Sequence, residues 1–277
     1  MPASDTPTPH TANVTIRELS SRADVDACLA LQDDTWGHGF TERVPGAILT
    51  VAQKIGGVAA GAFDADDRML GFVFGMTGVK DGQLVHWSDM LAVTPNARGA
   101  GLGDRLKHYQ RERVQALGVT AMLWTADPLV ARNAHFNINH LGAVPVEYVE
   151  NMYGEHTGSA LHGGLPTDRC VYRWEFGVAE RGRVRLERAA DDAIPAALSI
   201  DAAGAPTAAD LPLATALRIH LPNDLEAIQR DSTDRALRWR LAVRIAFTAG
   251  FARGLSVTRF VRGTEHLLPY YVLTATR

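Results

Sequence analysis

Two groups of residues in this chain have the types and the spacing to do chemistry. The first is Arg98-Gly99-Ala100-Gly101-Leu102-Gly103-Asp104, which stands between an apolar run, LVHWSDMLAV, and a helix-like segment, DRLKHYQRERVQAL. Glycines at alternate positions leave the first helical turn almost bare. The backbone N–H groups of that turn have no partner inside the helix and lie at the positive end of its dipole, so a phosphate can dock on them where backbone approach is unobstructed. The second group is Arg240 and Arg244, four residues apart and therefore on one helix face. A planar guanidinium fork suits a carboxylate, of a ligand or of the chain's own Asp231 and Asp234.

The cradle excludes several ligands on its own residues. A P-loop needs Gly-Lys-Ser/Thr, and the chain reads Gly103-Asp104-Arg105. A dinucleotide fingerprint needs a glycine where Asp104 stands; Asp127 lies where a ribose-binding acid is expected, but with Pro128 after it the residue reads better as a helix N-cap. The ten histidines form no HExxH, and His135 and His140 are five apart, so no structural metal is expected. Cys28 and Cys170 lack metal-ligand spacing and fit a reducing, cytoplasmic setting. A net charge of −3 gives no footprint for nucleic acid and points to a small-molecule partner. No run approaches the roughly 18 apolar residues of a membrane helix. Residues 1–12 are rich in Pro and Thr, lack the apolar core of a secretion signal and read as a disordered tail.

The elements that must position these residues follow from periodicity. Val14 to Leu19 alternates as a strand, Ala23 to Trp36 reads as a helix, and Ala47 to Lys54 as a short second one. Val58 to Asp64 and Met69 to Thr77 form a hairpin about Ala65-Asp66-Asp67-Arg68, with Gly71 and Gly75 tolerable in a strand only where something packs close. Gln83 to Val93 is the strand that feeds the glycine loop, and Leu106 to Leu117 the helix after it, closed by Gly118. Val119 to Thr125, Val144 to Glu150 and Arg169 to Phe176 are strands, and Pro128 to Leu141 a helix closed by Gly142. Beyond a connecting segment come a strand over Ala216 to Leu221, a helix over Ser232 to Arg253, and strands over Leu255 to Val261 and Pro269 to Thr274.

Leu91-Ala92-Val93-x-Pro95 followed by Arg98-x-x-Gly101-x-Gly103 resembles the acyl-CoA-binding motif of the GNAT superfamily of N-acetyltransferases. The resemblance spans residues 14 to 176. It implies an α+β fold, with a mixed, mostly antiparallel sheet flanked by helices over residues 13–177, and leaves residues 178–277 as a small α+β subdomain. It also implies that the loop amides from Arg98 to Asp104 hold the coenzyme A pyrophosphate while Leu91, Ala92 and Val93 pair with the pantetheine arm. A second match, Arg132-Asn133-Ala134 to Leu141-Gly142-Ala143, adds Asn133 to the coenzyme contacts. By the same resemblance Asp89, four residues before Val93, is the base, His86 on the same strand is the second candidate, and Trp36 with Phe40 lines the acceptor pocket. Two positions depart from the family pattern: Ala143 replaces a phenylalanine, and Ile138 a tyrosine that often protonates the departing thiolate. Tyr148 and Tyr153 are phenols nearby in sequence.

The function implied is transfer of an acyl group, acetyl or succinyl, from acetyl-CoA or another acyl-CoA to a primary amine of an amino acid or other small metabolite. Neither cysteine sits in an activating motif, which favours direct attack in a ternary complex. The succinyl option comes from similarity of Leu165-Pro-Thr-Asp-Arg169 and Ala236-Leu-Arg-Trp-Arg240 to a subgroup with an extra C-terminal region. The alternatives are a CoA-binding sensor without catalysis, which Ile138 favours, and a protein N-acetyltransferase. A homodimer is compatible with the sequence.

Overall fold

The computed structural model describes residues 13–154, 157–159, 164–177, 191, 193–208 and 211–275; the tail expected over residues 1–12 lies outside them. The described residues form two compact units, one of residues 13–122 with 158–159, the other of the described residues from 123 to 157 and from 164 to 275. The architecture is α+β.

The first unit runs β1 (Thr15–Glu18), α1 (Arg22–Trp36), α2 (Gly46–Lys54), β2 (Val58–Phe63), β3 (Met69–Lys80), β4 (Gln83–Val93) and α3 (Leu102–Gln115). The four strands pair antiparallel in chain order. Helix α1 starts where Ser21 accepts from the Asp24 N–H and Asp24 returns the bond to the cap, a reciprocal box that satisfies donors the helix cannot. Arg17 grips the same Asp24 at 2.7 and 3.0 Å, fixing β1 to the start of α1. The β2–β3 turn is set by Asp64, whose Oδ1 accepts from the N–H groups of Asp66 and Arg68. Cys28 and Leu31 of α1, Leu49 and Ala52 of α2, and Phe72, Phe74, Met90 and Ala92 of β3 and β4 form one buried cluster. Burying such side chains contributes roughly 1.5–3 kcal/mol for each large one.

The second unit holds most of β5 (Ala121–Ala126), then α4 (Ala131–Ala134), β6 (Val144–Val149) and β7 (Arg169–Glu175), in the strand order β5-β7-β6. The helix expected from Pro128 begins later, because Asp127 Oδ1 accepts from the Leu129 N–H and closes a local turn first. It then widens into a π-helical turn over His135–His140 and ends at Gly142, whose φ of +74° favours glycine. The short pair β8 (Ser199–Ile200) and β9 (Pro206–Thr207) precedes β10 (Ala216–His220), α5 (Leu225–Asp231), α6 (Thr233–Ala252), β11 (Leu255–Val261) and β12 (Tyr270–Ala275). The last three strands form an antiparallel sheet in the order β10-β12-β11. Trp239, Val243, Ala246 and Phe247 make the buried face of α6. Phe247 stacks on Tyr148 of β6, and the Tyr271 hydroxyl donates to the Pro128 carbonyl at 3.0 Å.

Candidate active site

The glycine loop of the first unit is a bare helix start. After β4 a 3₁₀ turn (Pro95–Ala97) leads to Gly99 and Gly101, with φ of +81° and +75°. Gly101 is the N-cap of α3 and offers no side-chain cap. A Cβ placed on either glycine would meet nothing within 4 Å, and residues Arg98 to Gly101 are exposed. The glycines are therefore not there to relieve crowding inside the protein. They set the left-handed turns and leave the first-turn N–H groups open to a ligand. Arg98 donates from Nε to the Val93 carbonyl at 3.3 Å, Leu102 is buried as the anchor of the helix, and Asp104 sits 3.4 Å from His108.

Strand β4 contains the second feature. Its register against β3 slips: Phe74 faces Met90 but Gly75 faces Ser88, so Asp89 is one residue too many. Side chains alternate with a period of two, and one extra residue exchanges the faces of the strand. Before the bulge His86 and Ser88 are buried toward α3; after it Met90 and Ala92 join the cluster with α1 and α2, while Leu91 lies 3.7 Å from the Cβ position of Gly103.

The bulge separates the two candidate bases. Asp89 keeps solvent access, yet the protein crowding round it raises its carboxyl above the ordinary carboxylate value; a hydrogen bond from Trp87 opposes the rise and the charge of Glu42 adds to it. His86 has no exposed surface, and burial, helped by the charge of Lys107, holds its imidazole down at about 3. Its Nδ1 is 2.9 Å from Thr77 Oγ1 and its Nε2 has no hydrogen-bond partner among the described residues. Of the two, His86 is enclosed and Asp89 is the group open to solvent. Trp36 is half-buried, stacked on Phe40 at 5.8 Å and edge-on to Phe72 at 6.3 Å, so it both packs on the core and shows a face to solvent.

A buried polar cluster lies behind β4 that sequence reasoning did not anticipate. Lys107 of α3, 3% exposed, donates to Ser88 Oγ at 2.8 Å, and burial pushes its ammonium down to about 7. Gln110, one turn on, is fully buried beside it. The only sequence signal was Gly75: a Cβ there would lie 2.3 Å from His86 Nε2 and 2.7 Å from Gln110 Nε2.

Burial pushes Cys28 up to about 12 and raises Cys170 well above the ordinary thiol value, so neither is a nucleophile at neutral pH. The phenols expected near the glycine signature are engaged: Tyr148 donates to Asp168 at 2.7 Å, and the Tyr153 hydroxyl is 2.9 Å from Thr125 Oγ1. Asn133 lies in α4, its N–H donating to the Val130 carbonyl.

In the second unit the carboxylates that Arg240 and Arg244 hold belong to the chain itself. Arg240, 2% exposed, grips Asp127 at 2.8 and 2.6 Å, and Arg244 grips Asp168 at 2.8 and 2.7 Å. Burial would raise the Asp127 carboxyl, but the charge and hydrogen bonds of Arg240, with Arg169 beside it, outweigh burial and hold it below the ordinary value. The expected partners Asp231 and Asp234 are not used; Asp231 pairs with Arg235 instead. Arg240 and Asp127 line a cavity of about 250 Å³ with Arg132, Arg169, Asp224 and Glu226.

No family model and no curated protein matches the chain. Among solved structures it is similar to the NatC complex bound to Gag peptide and CoA, at 13% identity over 59% of this chain and 98% of that one, with a TM-score of 0.47. It is similar to the ribosomal-protein-S18-alanine N-acetyltransferase from Escherichia coli at 16% identity over 61% and 97%, TM-score 0.45. The acetyltransferase of the GNAT family from Streptococcus pneumoniae is similar at 19% over 58% and 98%, TM-score 0.45. Among the described residues no cluster of His, Cys, Asp or Glu has the arrangement of a metal site, and no helix is long and apolar enough to cross a membrane.

Proposed function

We propose that this chain is an acyl-CoA-dependent N-acyltransferase of the GNAT kind, acting on a small primary amine. The observation that carries the reading is the open, uncapped start of α3 at the end of a strand whose bulge carries an accessible carboxyl of raised pKa. The amides of Gly101, Leu102 and Gly103 suit a pyrophosphate, and the edge of β4 from Leu91 to Val93 suits an amide-bearing arm. The amine attacks the thioester carbon directly, since neither cysteine is activated. Asp89 takes the proton from the amine, directly or through one water, and the bulged backbone offers N–H donors to the developing oxyanion, each worth roughly 3–4 kcal/mol when well placed. The thiolate leaves without a phenol at position 138, which is tolerable for a good leaving group. That same absence favours a rival, a CoA-binding regulator with no turnover.

The test is thiol release from acetyl-CoA and succinyl-CoA with a panel of amino acids, their decarboxylated amines and a peptide, alongside calorimetry of CoA binding. Turnover on free amines supports the proposal, and binding without turnover supports the regulator. Gly101→Glu places an anion on the cradle in open space; at a φ of +75° the side chain costs about 1–2 kcal/mol, which the fold is expected to bear, and the variant is expected to lose CoA affinity about a hundredfold or more. Unchanged affinity in that folded variant refutes the cradle.

A further inference from the structure

We infer that Lys107 is a positioning residue for Asp89, acting through Ser88; the catalytic part of this rests on the function proposed above. Lys107 belongs to α3, the helix whose first turn forms the glycine cradle, and reaches back to the strand residue directly before the bulge. A bulge breaks the regular ladder of hydrogen bonds and leaves its extra residue unpaired, so its geometry depends on what holds its flanks. On the β3 side the flank is Gly75, with the Trp87 carbonyl 2.6 Å from its Cβ position. On the α3 side it is the Nζ–Oγ bond, enclosed and short at 2.8 Å. A side chain that only filled space here would be a methionine or leucine, which burial favours over lysine by several kcal/mol. The amine instead donates to Ser88 Oγ, in a buried polar cluster where the Gln110 side-chain carbonyl and His86 Nε2 have no hydrogen-bond partner among the described residues. His86 is the titratable group facing Lys107 from β4, Thr77 faces the cluster from β3, and Gln110 from α3 itself. One bond thus ties the cradle helix to the reacting carboxylate, and a 1 Å misplacement of such a group costs on the order of a hundredfold in rate.

The experiment uses the full chain with Lys107→Met, Lys107→Gln, Ser88→Ala and the Lys107→Met/Ser88→Ala double variant. Methionine keeps length without a donor, and glutamine keeps a donor. Amide exchange over residues 87–91 is expected to quicken about tenfold in Lys107→Met and Ser88→Ala, and to stay near the parent rate in Lys107→Gln. In turnover, the first two are expected to lose about ten- to a hundredfold in kcat with CoA affinity within about twofold, with the double variant no worse than the worse single one. Unchanged exchange at the bulge, or additive losses in the double variant, overturns the inference. Should Lys107→Met fail to fold, Ser88→Ala, which removes one oxygen, decides it by the same two readouts. A parent chain without turnover defeats the acyltransferase reading, whereas the exchange measurement still judges the link from Lys107 to the bulge.

Discussion

The buried ammonium of Lys107 should write itself into the pH dependence of stability. Burial holds the folded-state value at about 7, against an ordinary value of 10.5. A lysine with a depressed folded pKa binds a proton in the unfolded chain that it does not bind in the native one, so stability rises with pH across the window from about 7 to 10.5. One pKa unit is about 1.36 kcal/mol, and integrating the two titrations from pH 7 to pH 9 gives a rise of about 2 kcal/mol. The window stops at 9 because Cys28, pushed up to about 12 in the native state, lowers stability once the unfolded thiol ionises. In Lys107→Met the lysine contribution is gone while the cysteine contribution is unchanged. Urea unfolding of both proteins at half-unit steps should therefore show the stability difference, variant minus parent, shrinking by about 2 kcal/mol between pH 7 and 9. Parallel profiles would mean that Lys107 is charged and solvated in the native state, and the enclosed cluster behind β4 would be refuted.

Three further outcomes follow from named contacts. Asp89→Asn should lower kcat by about a hundred- to ten-thousandfold and erase an acid limb of kcat/KM lying above the ordinary carboxylate range, read from a pH–rate series between 4 and 9; an intact limb removes Asp89 from the chemistry. Arg240→Met leaves the Asp127 carboxylate without its principal partner and should cost about 3–5 kcal/mol in denaturant unfolding, where a loss below about 1 kcal/mol would show the pair to be dispensable. Gly75→Ala forces a methyl to 2.3 Å from His86 Nε2 and 2.6 Å from the Trp87 carbonyl, so it should destabilise by about 1–3 kcal/mol, while Gly78→Ala, whose methyl meets nothing within 4 Å, should change little; equal melting temperatures would contradict the packing.

Local rules carried the sequence reading where a residue's effect is local. Gly118 at φ +85° and the four-residue turn before β3 were legible because each is dictated by its own neighbours. The glycine loop was legible for the same reason: bare backbone at a helix start needs no distant partner to be recognised. The bulge at Asp89 was not, since Gln83 to Val93 alternates well enough to pass as a straight strand and the slip exists only relative to β3. Lys107 hid on the helix as an ordinary polar residue, because its burial depends on Ser88, nineteen positions earlier. Arg240 and Arg244 were read as one helix face that binds carboxylates; their acceptors, Asp127 and Asp168, are 113 and 76 residues away in sequence, beyond any spacing argument. The late start of α4 was missed because Asp127 uses its side chain on a local turn before any helix begins.

The exchange of faces in β4 has a consequence for how this chain can change over generations. In a regular strand, losing one residue turns everything beyond it over to the other face. Here the ladder is already in phase on either side of the extra residue, Gly75 opposite Ser88 and Phe74 opposite Met90, so deletion of Asp89 would close the bulge and keep every pairing. Met90 and Ala92 would stay in the cluster with Phe72 and Phe74, and Leu91 at the foot of the glycine loop. Position 89 is thus a place where a residue can be lost and the core kept, so lineages descending from this sequence should change the number of residues between His86 and Gly99 there first, each such loss taking the exposed carboxyl with it.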